Sequence, residues 1–234
     1  MNTAYADPRS LPVAQIGADA RGRFIARVYG HLLVAIVGFV ALEVFFFTSG
    51  LADGIAALLL SVPWFLVLGV FMLAGWLASR MAESVSSPVA QYGGLAMMVA
   101  SYAVLFVLPL YLAAGFPGLI QNAALVTLAA FSGLTWFVFV TRKDFSWMGS
   151  ILAWVGISAL VLIGAGLLFG FELGLFFTVG MILFSGAAIL YDTSNVLHKY
   201  PEDRYVAASL QLFASVALMF WYILSFFLSF AGND

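Results

Sequence analysis

Cysteine is absent, and charge is scarce: Asp, Glu, Lys and Arg together make up 9% of the 234 residues. Without Cys the chain can form no disulfide, no thiolate metal site and no Cys nucleophile. A soluble domain carries about 25% charged residues, so this shortage excludes a water-soluble globule. The formal net charge of −2 gives no footing for nucleic acid or another polyelectrolyte partner. There is no HExxH, no Walker A or helix-opening GxGxxG loop, no GxSxG, and His occurs only twice. Metalloprotease, nucleotide-driven and hydrolase readings therefore lack their minimum parts, no enzyme is expected and no cofactor is called for. No strongly duplicated half of the kind that marks many secondary transporters is visible either.

Apolar residues fill the space: 64% are hydrophobic, Phe alone numbers 23, and the mean hydropathy is +1.09. A bilayer core of about 30 Å takes roughly 20 helical residues per crossing. Cutting the chain at its polar interruptions gives seven segments, 28–50, 55–79, 92–114, 121–141, 148–170, 173–192 and 207–230. The expectation is an all-α polytopic bundle, a single seven-helix domain over 28–230, with an amino-terminal tail 1–27 and a short tail 231–234. The tail before the first span contains Asp7 and Asp19 and no evident cleavage site, so that span reads as retained rather than as a signal peptide. Pro63 and Pro109 are expected to kink their helices. Gly149, Gly156, Gly164, Gly166 and Gly170 in span five, with Gly174, Gly180 and Gly186 in span six, offer small surfaces for close helix approach.

The nine basic residues fall in four places: Arg9, Arg21, Arg23 and Arg27 in the tail, Arg80 after span two, Arg142 and Lys143 after span four, and Lys199 and Arg204 after span six. All lie on one side of a seven-span bundle. The loops around Asp53, Pro117 and Glu172 carry no Lys or Arg, so the positive-inside rule places the amino terminus in the cytoplasm and residues 231–234 outside. A last segment that dips and returns within the protein is the competing topology, because span seven is the most polar.

Of the eleven acids, Glu43 and Asp192 fall in or at the edge of a span, and ionisable groups at that depth are costly unless paired or hydrated. Glu43 is either a cavity acid or a carboxylate snorkelling to the outer interface. His31 lies 12 residues before it, about 120° away around the helix, and reads as a structural interface residue more readily than as a ligand. Asp192 ends a heptad stripe with Ser185 and Thr178 on span six. On span seven Gln211, Ser215, Leu218, Tyr222, Ser225 and Ser229 follow i, i+4, i+7, i+11, i+14, i+18. Lipid does not reward such faces, so spans six and seven should face each other, either as interhelical hydrogen-bonding glue or as a water- or ion-conducting seam. Asp192, near His198, Lys199 and Arg204, could then act as a pH-dependent latch. As a calcium ligand it is weak: Ca2+ prefers six to eight oxygens, and Ser215, Thr193 and Asn195 supplement a lone acid poorly.

Tyr191-Asp192-Thr193-Ser194-Asn195-Val196-Leu197-His198, after an Ala/Gly-rich apolar run, resembles the Bax inhibitor family, specifically its bacterial YccA-type branch. Thr141-Arg142-Lys143-Asp144-Phe145-Ser146 looks like that family's basic loop before span five, and Val206-Ala207-Ala208-Ser209-Leu210 like its entry into span seven. The likeness runs from about Ser87 to Phe227; the first 86 residues match in general character. The resemblance implies a multi-pass protein of the bacterial inner membrane whose last helix is central and wrapped by the other six. It implies one of two roles: a pH-sensitive calcium leak, latched by a pair of aspartates on the last two helices, or modulation of the membrane-bound AAA protease FtsH. By position the first acid is Asp192, while the second falls at Ser215, so the chain departs from the two-aspartate pattern and cannot form a carboxyl–carboxylate pair. Two readings stand. One is a cation leak along the seam of Asp192, Ser215, Ser185, Gln211 and Tyr222, with calcium or protons as its partners. The other is a non-conducting protein that regulates a membrane protease, with the Asp7–Arg27 tail as a contact.

Overall fold

The computed structural model describes residues 11–84 and 87–231. They form α1 (Ala18–Ser49), α2 (Leu51–Ser61), α3 (Trp64–Ala82), α4 (Pro88–Ala113), α5 (Leu119–Thr141), α6 (Met148–Phe169), α7 (Gly174–His198) and α8 (Tyr205–Ala231), with single 3-10 turns at Val13–Gln15 and Glu202–Arg204. All but α2 are long and apolar enough to cross a membrane, seven in number. The protein is an all-α polytopic membrane protein. In hydrocarbon each backbone polar group must bond within its own segment, which turns long apolar runs into helices. Local signals set the ends: Ser87 caps α4 by accepting from the Ala90 N–H at 3.2 Å, ahead of Pro88. Gly50 and Gly170 close α1 and α6 at φ 79° and 73°.

Two elements differ from the sequence expectation. Pro63 does not kink a single second span but ends one helix and caps the next, in extended backbone at φ −54°, ψ 129°. Its missing N–H and its steric effect on Val62 stop α2 there. The crossing is α3 alone, and α2 lies against α1 and α4, with Ala52 and Ala56 packed on Val107. The first helix also begins at Ala18, ten residues before the expected span, so Arg21, Arg23 and Arg27 are helical. Pro109 stays inside an uninterrupted α4.

α8 is continuous over 27 residues, which removes the dipping alternative. It packs against α1, α3, α4, α5 and α7 and is the centre of the bundle. α6 stands outside this ring on α7 and α3, with Ala159 its one buried residue. Phe106 joins α8 to α4, stacking on Phe220 at 5.4 Å and edge-on to Trp221 at 5.1 Å. Of the glycines expected to pack, Gly149 receives the Tyr191 ring and Gly156 the Phe184 ring, while Gly164 and Gly180 face open space and Gly174 serves a turn at φ 67°. Among the described glycines the tightest approach to a neighbouring backbone is at Gly94 on α4, against Ala78 of α3.

Residues 11–17, which lead into α1, are not a free tail. Val13 is fully buried, its N–H donates to the Tyr200 carbonyl at 2.9 Å, and Pro12 bridges Pro201. The chain here straps the turn between α7 and α8. Asp7 and Arg9 lie outside the described residues, as do residues 232–234.

Candidate functional site at the α7–α8 contact

α7 and α8 run side by side, as the matching polar stripes predict. Their one side-chain hydrogen bond among the described residues joins Ser215 to Asp192: the Ser215 hydroxyl donates to Oδ2 at 2.6 Å, both residues being buried. That is the length of a charge-assisted O–H···O bond. Asn195, one turn further along the same face of α7, lines a polar cavity of about 320 Å3 with Glu83, Lys199, Tyr200, Pro201 and Arg204. This cavity lies at the basic end of the bundle. Burial pushes the Tyr200 phenol up, and the nearby Asp192 carboxylate adds to that.

The rest of the predicted seam does not assemble around this pair. Ser185 is buried but donates to its own helix, to the Ile182 carbonyl at 2.8 Å. Gln211 is exposed. Tyr222 sits edge-on to Phe177 at 6.2 Å, and Ser225 and Ser229 bond the Trp221 and Phe226 carbonyls of α8 itself. Such back-bonding satisfies a hydroxyl without a partner helix, so a polar stripe need not be wet. One carboxylate and one hydroxyl also fall far short of a calcium cage, and no group of three metal-ligating side chains occurs among the described residues.

His31 is engaged in contacts within the bundle. Its Nδ1 lies 2.7 Å from the Arg27 carbonyl, which can only accept, so Nδ1 carries the proton and Nε2 can accept from Tyr92 Oη at 3.2 Å. Tyr92 meets Tyr205 of α8 at 3.3 Å, so the chain of contacts ties α1, α4 and α8. Glu43 does not snorkel: it is 7% exposed, with both carboxylate oxygens unpartnered among the described residues.

Arg142 and Lys143 are exposed, Arg142 at φ 48° ending α5. The loop behind them docks on α7: the Phe145 N–H donates to Ser194 Oγ at 2.8 Å, and Ser194 Oγ reaches Asp144 Oδ1 at 3.4 Å. Asp144 accepts the Ser146 N–H at 2.8 Å, which holds its carboxyl below the usual range. Ser194 and Asp144 belong to two of the stretches that carry the family resemblance, but spacing alone gave no sign that they touch. The third stretch is anchored in the same way, with Ser209 donating to the Val28 carbonyl of α1 at 2.9 Å.

The fold and this contact define a seven-span membrane protein with a buried acid–hydroxyl pair linking its last two helices. The family model described as "Inhibitor of apoptosis-promoting Bax1" matches residues 21–232, and the chain belongs to that Bax inhibitor family. Bax inhibitor 1 of Schizosaccharomyces pombe is 29% identical over 96% of this chain and 83% of its own length. "Modulator of FtsH protease YccA" of Escherichia coli is 37% identical over 55% of this chain and 58% of its own. The uncharacterized protein PA2604 of Pseudomonas aeruginosa is 35% identical over 49% and 51%. The chain thus spans about half the length of PA2604 and of YccA. No solved structure matches.

Proposed function

We propose that the protein is a proton-responsive cation leak of the Bax inhibitor family, held shut by the Asp192–Ser215 contact, in a bacterial inner membrane with its amino terminus in the cytoplasm. The observation that carries this reading is the 2.6 Å bond between α7 and α8. A charged carboxylate accepts from Ser215; a protonated one no longer draws that hydroxyl as an anion does, so the grip between the helices depends on one proton. Groups that bear on this proton are the Tyr200 phenol and, around the adjoining cavity, Glu83, Lys199 and Arg204. The test is flux from vesicles loaded with a calcium dye, wild type against Asp192→Asn, between pH 6 and 8. The expected result is a pH-dependent leak in the wild type and a pH-independent one in the variant. Identical background leak in both overturns the reading.

A second reading, modulation of a membrane AAA protease, is favoured by the similarity to the E. coli modulator of FtsH protease YccA. In this reading exposed Arg142 and Lys143 are the contact. Co-purification with FtsH that survives Arg142→Ala/Lys143→Ala would remove that loop from the contact.

A further inference from the structure

Between α1, α4, α5 and α8, in the half of the bundle away from the basic face, lies a cavity of about 450 Å3. That volume falls within the range of small-molecule pockets. Its walls are apolar, among them Ile36, Leu110, Ala124 and Val216, with two polar side chains besides Glu43. One, Thr127, is satisfied, donating to the Ala123 carbonyl at 2.8 Å. The other, Gln121, is exposed at the rim. Val40 and Val44, also lining it, are 51% and 57% exposed on the outer surface of α1, so the cavity opens sideways to the lipid.

Glu43 is the one ionisable residue lining this space, 7% exposed and with neither oxygen partnered among the described residues. It stands six residues before the end of α1, about 9 Å below it. A buried carboxyl with no donor costs stability, and helix-to-helix glue would be bonded. The same space is walled by Phe39, Phe47, Phe213 and Phe220. Aromatic faces attract organic cations, and a carboxylate supplies the counter-charge. No cationic side chain lines the space, so nothing there repels a cation or balances the charge of an anion.

We propose that this cavity binds a lipophilic monocation, an onium or amine whose apolar body enters from the bilayer and whose charge rests against Glu43. Affinity comes from burying the apolar body, and selection for charge from one carboxylate in a low-dielectric wall. The site is independent of Asp192 and Ser215, neither of which lines it.

The test uses the full chain in phosphatidylcholine nanodiscs, with radiolabelled tetraphenylphosphonium as the probe, empty nanodiscs as the blank and radiolabelled tetraphenylborate, in separate samples, as a probe of the same shape and opposite charge. With no saturable binding of tetraphenylborate, saturable binding of one tetraphenylphosphonium per chain is expected. It should weaken roughly tenfold or more in Glu43→Gln, the effect of removing one member of a buried charge pair. Ala124→Trp, which fills the cavity and keeps the acid, should abolish it. Equal affinity in Glu43→Gln, equal saturable binding of tetraphenylborate, or no saturable binding above the blank each overturns the proposal. Should Glu43→Gln fail to fold, binding unchanged in Ala124→Trp overturns it as well.

Discussion

Gly94 on α4 faces the backbone of Ala78 on α3 so closely that a Cβ at Gly94 would stand 2.5 Å from the Ala78 oxygen and 2.7 Å from the Ala82 nitrogen. Backbone cannot swing aside as a side-chain tip can, so Gly94→Ala must push α3 off α4. A loss of about 2 kcal/mol or more is expected, read as a drop of several degrees in the melting temperature of the detergent-solubilised protein. Gly164→Ala on α6, where nothing lies within 4 Å, is the control. It should be neutral or slightly stabilising, because Ala is the better helix former.

Removing the hydroxyl from Ser215 leaves Asp192 buried without its donor. Ser215→Ala should therefore cost about 1–3 kcal/mol, more than Ser225→Ala, whose hydroxyl bonds only its own helix. Asp192→Asn retains an acceptor for Ser215 and should be the milder change. The double variant Asp192→Asn/Ser215→Ala should lose less than the sum of the singles, since both act on one bond. Additive losses in thermal melts would show that the two side chains do not depend on each other.

How much of this was readable beforehand follows from what each feature depends on. Hydropathy placed the seven crossings because lipid tolerates little else, and heptad spacing found Asp192 and Ser215 because both face one neighbouring helix. The same spacing misplaced Gln211, which is exposed, although Tyr222 does meet α7 at Phe177: α8 packs on five helices, and a period of 3.6 residues does not say which neighbour covers which arc. Pro63 read as a kink because many membrane helices absorb a proline; whether one kinks or ends a helix rests on tertiary packing. The orphaned state of Glu43 is set by side chains from α4, α5 and α8, which no stretch of α1 encodes.

The Ser146 N–H holds the Asp144 carboxyl below the usual range, so its folded-state pKa lies beneath its unfolded one. The stabilisation it gives is in full force above about pH 4, the unfolded carboxylate value, and fades as pH falls through the lower folded value. The group is exposed, so the effect is at most a few tenths of a kcal/mol. Asp144→Ala should speed amide exchange at Phe145 and Ser146 at pH 6, and the difference from wild type should shrink towards pH 3. A difference that grows on acidification would contradict the assigned bond.

The absence of native Cys makes single-cysteine labelling clean. Val13 is fully buried under the α7–α8 turn while its neighbour Ala14 is exposed. Val13→Cys should react with maleimide at least about tenfold more slowly than Ala14→Cys, the gap closing in denaturant. Equal rates in the folded protein would mean that the strap does not hold in solution.

The same device decides orientation. Arg142 and Asp53 are both exposed and sit at opposite ends of the bundle, Arg142 just after α5 and Asp53 at the start of α2. If the basic end is cytoplasmic, a membrane-impermeant maleimide added to intact bacterial cells whose outer membrane has been permeabilised should label Asp53→Cys and spare Arg142→Cys until the inner membrane is opened. The physical ground is the clustering of all described Lys and Arg at one end of the helices, which translocation strongly resists moving across. The reverse pattern would invert the protein, placing the polar cavity beside Asp192 outside the cell and the cavity at Glu43 in the inner leaflet. A latch facing outward would answer to external rather than cytoplasmic pH, so this labelling pattern also determines on which side of the vesicles the flux experiment must vary the proton concentration.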